Sequence, residues 1–369
     1  MKRILFITQN LGRGGSEMLL WYSLNHLNKN KFTPIIFCKE KGELIDALPT
    51  QVKYFLPYKK SRKFFQKAFR AILKCFRINP LEYQLKRIQE RNNIDFWYVN
   101  TIIIPEVYEI AQKLGVKIIT HVHELTIAYN FITYSDLKRI INYSSILIGC
   151  SEAVCNKIRD MGRTDVKLLY GFVDTDKITY TKLAQEVKAA TGFSSDDFVW
   201  AISGKTSLIK GIDFLVALLE VVPQNFKFIW IGGDEFTGLY YYTEKSLQTK
   251  FPGRVKFLGI QRDEYYNYLN SADAFLLLSR EDSFPLVMLE AATLGKPIVG
   301  FNSGGISEFI KPDTGRVINS WRIEDLADSM KEIESNFSAF KKEEIKRQVL
   351  NYEVKKQVAI LEDILDEMP

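Results

Sequence analysis

The chain has 369 residues, 46% of them hydrophobic and 25% charged, and its 50 basic and 44 acidic residues leave a formal charge of +6. This composition excludes extensive disorder and low-complexity sequence, and the length predicts about two domains on a prior of ~150 residues each. No apolar run approaches the ~18 residues needed to span a bilayer, and the opening MKRILFITQNLGRGG is too briefly apolar, and too soon broken by glycines, to read as a signal peptide. Cys38, Cys75, Cys150 and Cys155 lack zinc-type spacing and predict reduced thiols in a cytoplasmic protein.

The first half alternates strand-like and helix-like segments. Lys2 to Thr8 reads as a buried strand, Gly12 to Gly15 as a glycine-rich turn, Ser16 to Leu27 as a helix capped by Ser16, and Phe32 to Cys38 as a second strand. The turn lacks the G-x-G-x-x-G spacing of a dinucleotide site, yet glycines before a helix N-terminus admit an oxygen close to backbone N–H groups.

Lys59, Lys60, Arg62, Lys63, Lys67, Arg70, Lys74 and Arg77 follow, interleaved with Phe64, Phe65, Phe69, Ile72, Leu73 and Phe76 and with no acid among them. Residues 59–77 fit an amphipathic helix lying on an anionic membrane surface, and equally a surface helix whose apolar stripe joins the core. No nucleic-acid motif accompanies them, so a nucleic-acid partner is not expected.

Phe96 to Asn100 reads as a strand, Val107 to Lys113 as a helix, and Lys117 to His121 and Ser145 to Cys150 as strands, the last leading into a helix from Ser151. Such alternation indicates a parallel, doubly wound sheet, whose ligands bind beyond the carboxyl ends of the strands. His121-Val122-His123-Glu124 stands at such an end. A metal site there lacks a third ligand, and His123 is favoured over His121 as the cleft residue.

A break falls around Leu169 to Asp174, followed by a polar helix-like stretch from Lys177 to Thr191 and a turn from Gly192 to Asp197. Asp174-Thr175-Asp176 is too short a pattern to be assigned a metal. A second alternating series then runs through strand Phe198 to Ser203, helix Ile212 to Leu219, strands Lys227 to Gly232 and Val255 to Leu258, and helix Arg262 to Asn270. Gly204-Lys205-Thr206 is not a P-loop, because Val199 stands where that motif needs glycine. Lys205 and Lys210 nevertheless occupy one strand-to-helix loop, suited to clasping a diphosphate as point charges.

Ser271 to Phe309 reads as a βαβ unit: strand Ala274 to Leu278, helix Leu286 to Leu294, strand Pro297 to Phe301. Arg280, Glu281 and Asp282 lie in the first loop, Gly304-Gly305 in the second, and Glu290 follows Asp282 by eight residues. Lys341 to Met368 is charged and helix-like.

In order and spacing, Gly14-Gly15-Ser16-Glu17, His123-Glu124, Cys150-Ser151-Glu152, Gly171-Phe172-Val173-Asp174, Gly204-Lys205 with Lys210-Gly211, and Ser271 to Phe309 make the chain resemble the retaining glycosyltransferases of family 4 over nearly its whole length. The resemblance implies an α/β GT-B fold, with two Rossmann-like doubly wound domains facing a central cleft. An acceptor-side domain would cover 1–172 and a nucleotide-sugar domain 173–351, with 352–369 crossing back to the first.

It also implies an E-x7-E element, here Asp282 and Glu290, with Glu290 on the ribose hydroxyls. Aspartate in the first place leaves the sugar contact open between Glu281 and Asp282. Lys205 and Lys210 would hold the diphosphate. Phe284, Pro285 and Leu286 would line the donor site, Ser303, Gly304, Gly305 and Ile306 would bind sugar hydroxyls, and Gly14 and Gly15 would close over the phosphates. His123, Lys210, Asp282 and Glu290 are the catalytic candidates.

The implied reaction is metal-independent hexosyl transfer from a nucleoside-diphosphate sugar to a hydroxyl of a saccharide or lipid-linked acceptor, in bacterial envelope polysaccharide or glycolipid synthesis. The donor is a substrate and no cofactor is expected. The enzyme would be cytoplasmic, or peripheral on the inner face of the membrane. Two other readings share the fold: a catalytically degenerate, membrane-associated binding subunit, and a nucleotide-sugar epimerase.

Overall fold

The computed structural model describes residues 1–57, 79–233 and 237–369. Residues 59–77, with their membrane or core reading, lie outside the described residues. The chain forms two compact units, Met1–Tyr170 with Val354–Pro369, and Gly171–Glu353.

The first unit is built on β1 (Lys2–Thr8), β2 (Phe32–Cys38), β3 (Lys53–Phe55), β4 (Phe96–Val99), β5 (Ile118–Val122), β6 (Ile146–Gly149) and β7 (Val166–Leu168). They form one sheet in the order β3-β2-β1-β4-β5-β6-β7, and every pairing is parallel. Ile4, Leu5, Phe6 and Ile7 are wholly buried, as befits a central strand covered by helices on both faces. The edge strands β3 and β7 are three residues each, too short to announce themselves by pattern.

The helix predicted from Ser16 runs from Gly15 to His26, and its N-cap is Gly14 in an extended conformation. Ser16 lies inside the first turn, with its hydroxyl on Glu17. The helix Glu152–Asp160, by contrast, is capped by Ser151, whose side chain accepts from the Val154 N–H.

The last helix, Val354–Asp366, belongs to the first unit and packs on Gly15–His26. Val354, Val358, Leu361 and Leu365 recur every three or four residues and are at most 3% exposed, which makes one apolar face. Polar ties fix its end: Lys2 Nζ donates to the carbonyls of Leu365 (3.1 Å) and Asp366 (2.8 Å), and Glu362 accepts from the Asn28 N–H.

The second unit holds β8 (Phe198–Ser203), β9 (Phe226–Ile231), β10 (Val255–Gly259), β11 (Ala274–Leu277), β12 (Ile298–Phe301) and β13 (Gly315–Ile318), in the order β10-β9-β8-β11-β12-β13. Again every pairing is parallel. Trp200, Trp230 and Phe275 are wholly buried among these strands. The stretch Lys177 to Thr191 is less helical than expected: a 3-10 turn at Thr175–Lys177 precedes a helix only at Ala184–Ala190. Helices beyond the expected set, among them Gly238–Lys250 and Ile323–Ser335, belong to the same unit.

Candidate active site

In the second sheet the chain steps outward from β8 to β9 and β10, then returns to the other side of β8 for β11. At such a reversal the loops leaving β8 and β11 diverge and open a crevice at the strand ends. Both sets of sequence candidates sit there, and they meet. Lys210 Nζ lies 2.5 Å from Asp282 Oδ2, and Ser279 Oγ donates to the same oxygen at 3.3 Å. Lys205, further up the same loop, is exposed.

A second pair, unforeseen in role, locks the two loops. The Arg280 guanidinium makes two 2.7 Å hydrogen bonds to Asp213 and one of 2.6 Å to the Leu208 carbonyl, while the Arg280 N–H donates to Ile209 O. Its Cζ stands 4.0 Å from the centre of the Phe214 ring. Only arginine offers both the planar fork and the stacking face. The close approach also needs Gly211, which has φ +74° and whose added Cβ would fall 2.2 Å from Leu278 O.

The loop after β12 is tied to the same place. Asp282 N–H donates to Ser303 O at 2.9 Å, Gly305 N–H donates to Asp282 O at 3.3 Å, and Asp282 pairs with Gly304 as an isolated parallel bridge. The side chains of Phe284, Leu286 and Ile306 are buried, and Phe284 stacks on Tyr352 with centroids 5.4 Å apart. Pro285 is buried at the N-cap of the helix Leu286–Thr293. The side chains of these four residues are thus packed inside the unit.

Glu290 is half-buried in the second turn of that helix. Its Oε2 accepts from the Tyr265 hydroxyl at 2.9 Å and its Oε1 from the Tyr266 hydroxyl at 3.4 Å. Tyr265 also reaches Ser203 Oγ, at the end of β8, at 2.9 Å. Burial raises the Glu290 carboxyl above its ordinary value, and the two tyrosine hydrogen bonds oppose that rise. Neither tyrosine was legible as a site residue, because Tyr265-Tyr266 carries no motif and meets Glu290 only in the folded unit.

Gly14, Gly15 and His123 lie in the first unit. Asn100, just past β4, joins them: its Oδ1 is 3.0 Å from His123 Nε2 and its amide donates to Ser16 O at 3.0 Å. With the Asn100 amide committed to a carbonyl, Oδ1 is the acceptor, so His123 carries its proton on Nε2 and Nδ1 is left as an acceptor. Burial drives His123 down to about 3, so the ring is neutral.

His121 is 2% exposed and takes the Tyr98 hydroxyl on Nδ1 at 2.6 Å. Its ring lies against that of His123, with centroids 3.9 Å apart. The Glu124 carboxylate accepts from the Thr101 hydroxyl and from the His123 N–H at 2.9 Å, and burial pushes it up to about 7. Among the described residues no group of three or more His, Cys, Asp or Glu could hold a metal ion, and no helix is long and apolar enough to cross a membrane.

Residues 184–357 match the family described as Glycosyl transferases group 1. The chain is 29% identical over 248 residues to N-acetyl-alpha-D-glucosaminyl L-malate synthase of Bacillus anthracis, a match covering 64% of each protein. It is 34% identical over 144 residues to alpha-galactosylglucosyldiacylglycerol synthase of Streptococcus pneumoniae, covering 37% of this chain and 38% of that protein. The matched regions thus span under two thirds of both relatives.

Among solved structures, Alr3699/HepE of Anabaena in complex with UDP and glucose superposes with a TM-score of 0.83 at 18% identity, covering 99% of this chain and 100% of that one. At that identity the likeness speaks for the fold. The two Rossmann-like parallel sheets and this superposition give the chain a GT-B fold, and its residues 184–357 match the group 1 glycosyl transferases.

Proposed function

We propose that the chain is a retaining hexosyltransferase that moves a sugar from a nucleoside diphosphate to a hydroxyl of a saccharide or lipid-linked acceptor. The observation that carries this reading is the convergence of Lys210, Asp282 and Glu290 at the reversal point of the second sheet. Cleaving the anomeric bond builds negative charge on the departing diphosphate. Lys210, held against Asp282, and Lys205 are cations for that charge, and the backbone N–H groups of Ser303 and Gly304 are donors for sugar hydroxyls, the Gly305 N–H being taken up by Asp282 and Ser283 carbonyls.

Asp282, held against Lys210, is the acid closer to the diphosphate cation; Glu290 is the acid for the ribose. In this reading neither is a covalent nucleophile, the acceptor hydroxyl attacks from the face the diphosphate leaves, and no metal is required. The relatives' names support a sugar-transfer activity: a glucosaminyl malate synthase and a galactosylglucosyldiacylglycerol synthase. Placement in the cytoplasm follows from where activated sugar donors are used.

A thermal-shift panel of UDP, GDP and ADP with their hexose derivatives identifies the donor. Transfer by the wild type in the presence of EDTA, lost in Lys210→Ala and in Glu290→Ala while both melt as folded proteins, is the expected result. Full activity of the double variant overturns the reading. Binding without turnover over a broad acceptor panel indicates a binding subunit instead, and isomerised sugar formed without acceptor indicates an epimerase.

A further inference from the structure

Tyr265 and Tyr266 are consecutive residues at the start of the helix Tyr265–Ser271. Neighbours on a helix point about 100° apart and do not ordinarily share a partner. Here both hydroxyls nevertheless end on one carboxylate, 2.9 Å from Oε2 and 3.4 Å from Oε1 of Glu290. The two rings stand edge-on with centroids 5.1 Å apart.

Tyr265 is the better anchored. Its hydroxyl bridges Ser203 Oγ and Glu290 Oε2, each at 2.9 Å, and so ties the helix Tyr265–Ser271 to the end of β8 and to the helix Leu286–Thr293. An ionised carboxylate has about four lone-pair positions, two on each oxygen. One tyrosine on each oxygen uses half of these and leaves one acceptor position per oxygen. Two acceptor positions side by side, about 2.2 Å between carboxylate oxygens by standard geometry, suit the two neighbouring hydroxyls of a ribose. A carboxylate free to rotate about its last side-chain bond would present that pair only part of the time.

We propose that Tyr265 and Tyr266 are positioning residues that hold the Glu290 carboxylate so that its remaining lone pairs receive the 2′ and 3′ hydroxyls of the donor ribose together, with Tyr265 the dominant member. This rests on the ribose contact proposed for Glu290 and adds to it the device that orients the contact. Its signature is discrimination between ribose and deoxyribose, since a structural tyrosine would weaken both nucleotides alike.

The test is calorimetric binding of UDP against 2′-deoxy-UDP and of GDP against 2′-deoxy-GDP, using whichever base the wild type binds. Wild type is expected to favour the ribonucleotide by roughly tenfold or more, the scale of a hydrogen bond to a charged group. Tyr265→Phe is expected to weaken the ribonucleotide by roughly tenfold with little change for the deoxynucleotide, and Tyr266→Phe to act in the same sense but less. Ser203→Ala, which removes the other anchor of Tyr265, is expected to lower the ratio partway and serves if Tyr265→Phe does not fold.

Glu290→Gln tests the underlying contact separately and is expected to bring the ratio close to one. A ratio that collapses in Glu290→Gln but keeps its wild-type value in Tyr265→Phe and Ser203→Ala overturns the positioning role while leaving the ribose contact standing. A wild-type ratio in Glu290→Gln removes the contact itself, and the inference with it.

Discussion

The Lys210 ammonium and the Asp282 carboxylate, from loops 72 residues apart in sequence, meet at 2.5 Å with side chains 30% and 11% exposed. A partly buried pair of this kind couples the two loops, and removing one partner leaves the other charged and only partly solvated. Lys210→Ala is expected to reduce kcat by roughly a hundredfold or more, the usual scale for losing one electrostatic stabiliser. A double-mutant cycle of Lys210→Ala with Asp282→Asn, read by urea denaturation, should give a coupling of about 1 kcal/mol or more. Additive effects of the two changes would show the pair to be independent.

Arg280→Lys keeps the charge but loses the fork on Asp213 and the face on Phe214. A destabilisation of about 1 to 3 kcal/mol is expected. The donor KM should rise with it, because the Arg280 guanidinium also holds the carbonyl of Leu208, two residues before Lys210. An unchanged KM in the folded variant would detach the brace from the donor site.

Gly211→Ala meets both a left-handed backbone and the Leu278 carbonyl at 2.2 Å. It should cost about 3 kcal/mol or more and be poorly soluble. Gly238→Ala is the control: it opens a helix and its added methyl meets nothing within 4 Å, so its melting temperature should match or slightly exceed that of wild type.

Glu124 and the two histidines before it pull stability in opposite directions with pH. A carboxyl raised to about 7 keeps its proton when folded but loses it when unfolded from about 4.3 upward. Its contribution is thus fully present below that value and lost as pH rises to 7. His121 and His123 are lowered, the latter to about 3, so their contribution is present above about 6.5 and lost as pH falls. Between pH 5 and 6.5 the two trends oppose each other. In Glu124→Gln the histidine trend should stand alone, with stability climbing more steeply from pH 5 to 7 than in wild type, by about 1 kcal/mol or more over the interval. Parallel wild-type and variant profiles would contradict this.

Within the site, the placement of Glu290 on its helix and of the lysine loop after its strand was legible because both follow from offsets along the chain. Asp282 was legible as a position but not as the partner of Lys210, which only the folded unit brings to it. That the side chains of Phe284, Leu286 and Ile306 are buried was not legible, since a residue beside a loop and a residue beneath it look alike in sequence. Asn100 and Tyr265 were passed over for the converse reason: each acts by joining segments that the sequence keeps apart.

By itself the sequence determined the local physics: which runs were apolar enough to be parallel strands, that helices covered them, and where the glycine-bearing loops left their ends. These follow from periodicity and backbone preference over a few residues. Tertiary structure decided the strand order with its reversal at β8, the short edge strands β3 and β7, the return of Val354–Asp366 to the first unit, and the meetings of Lys210 with Asp282, Arg280 with Asp213, and Tyr265 with Glu290. Each of those is a contact between distant segments, selected by how buried faces and charges satisfy one another once the sheets have formed, and no local preference encodes that.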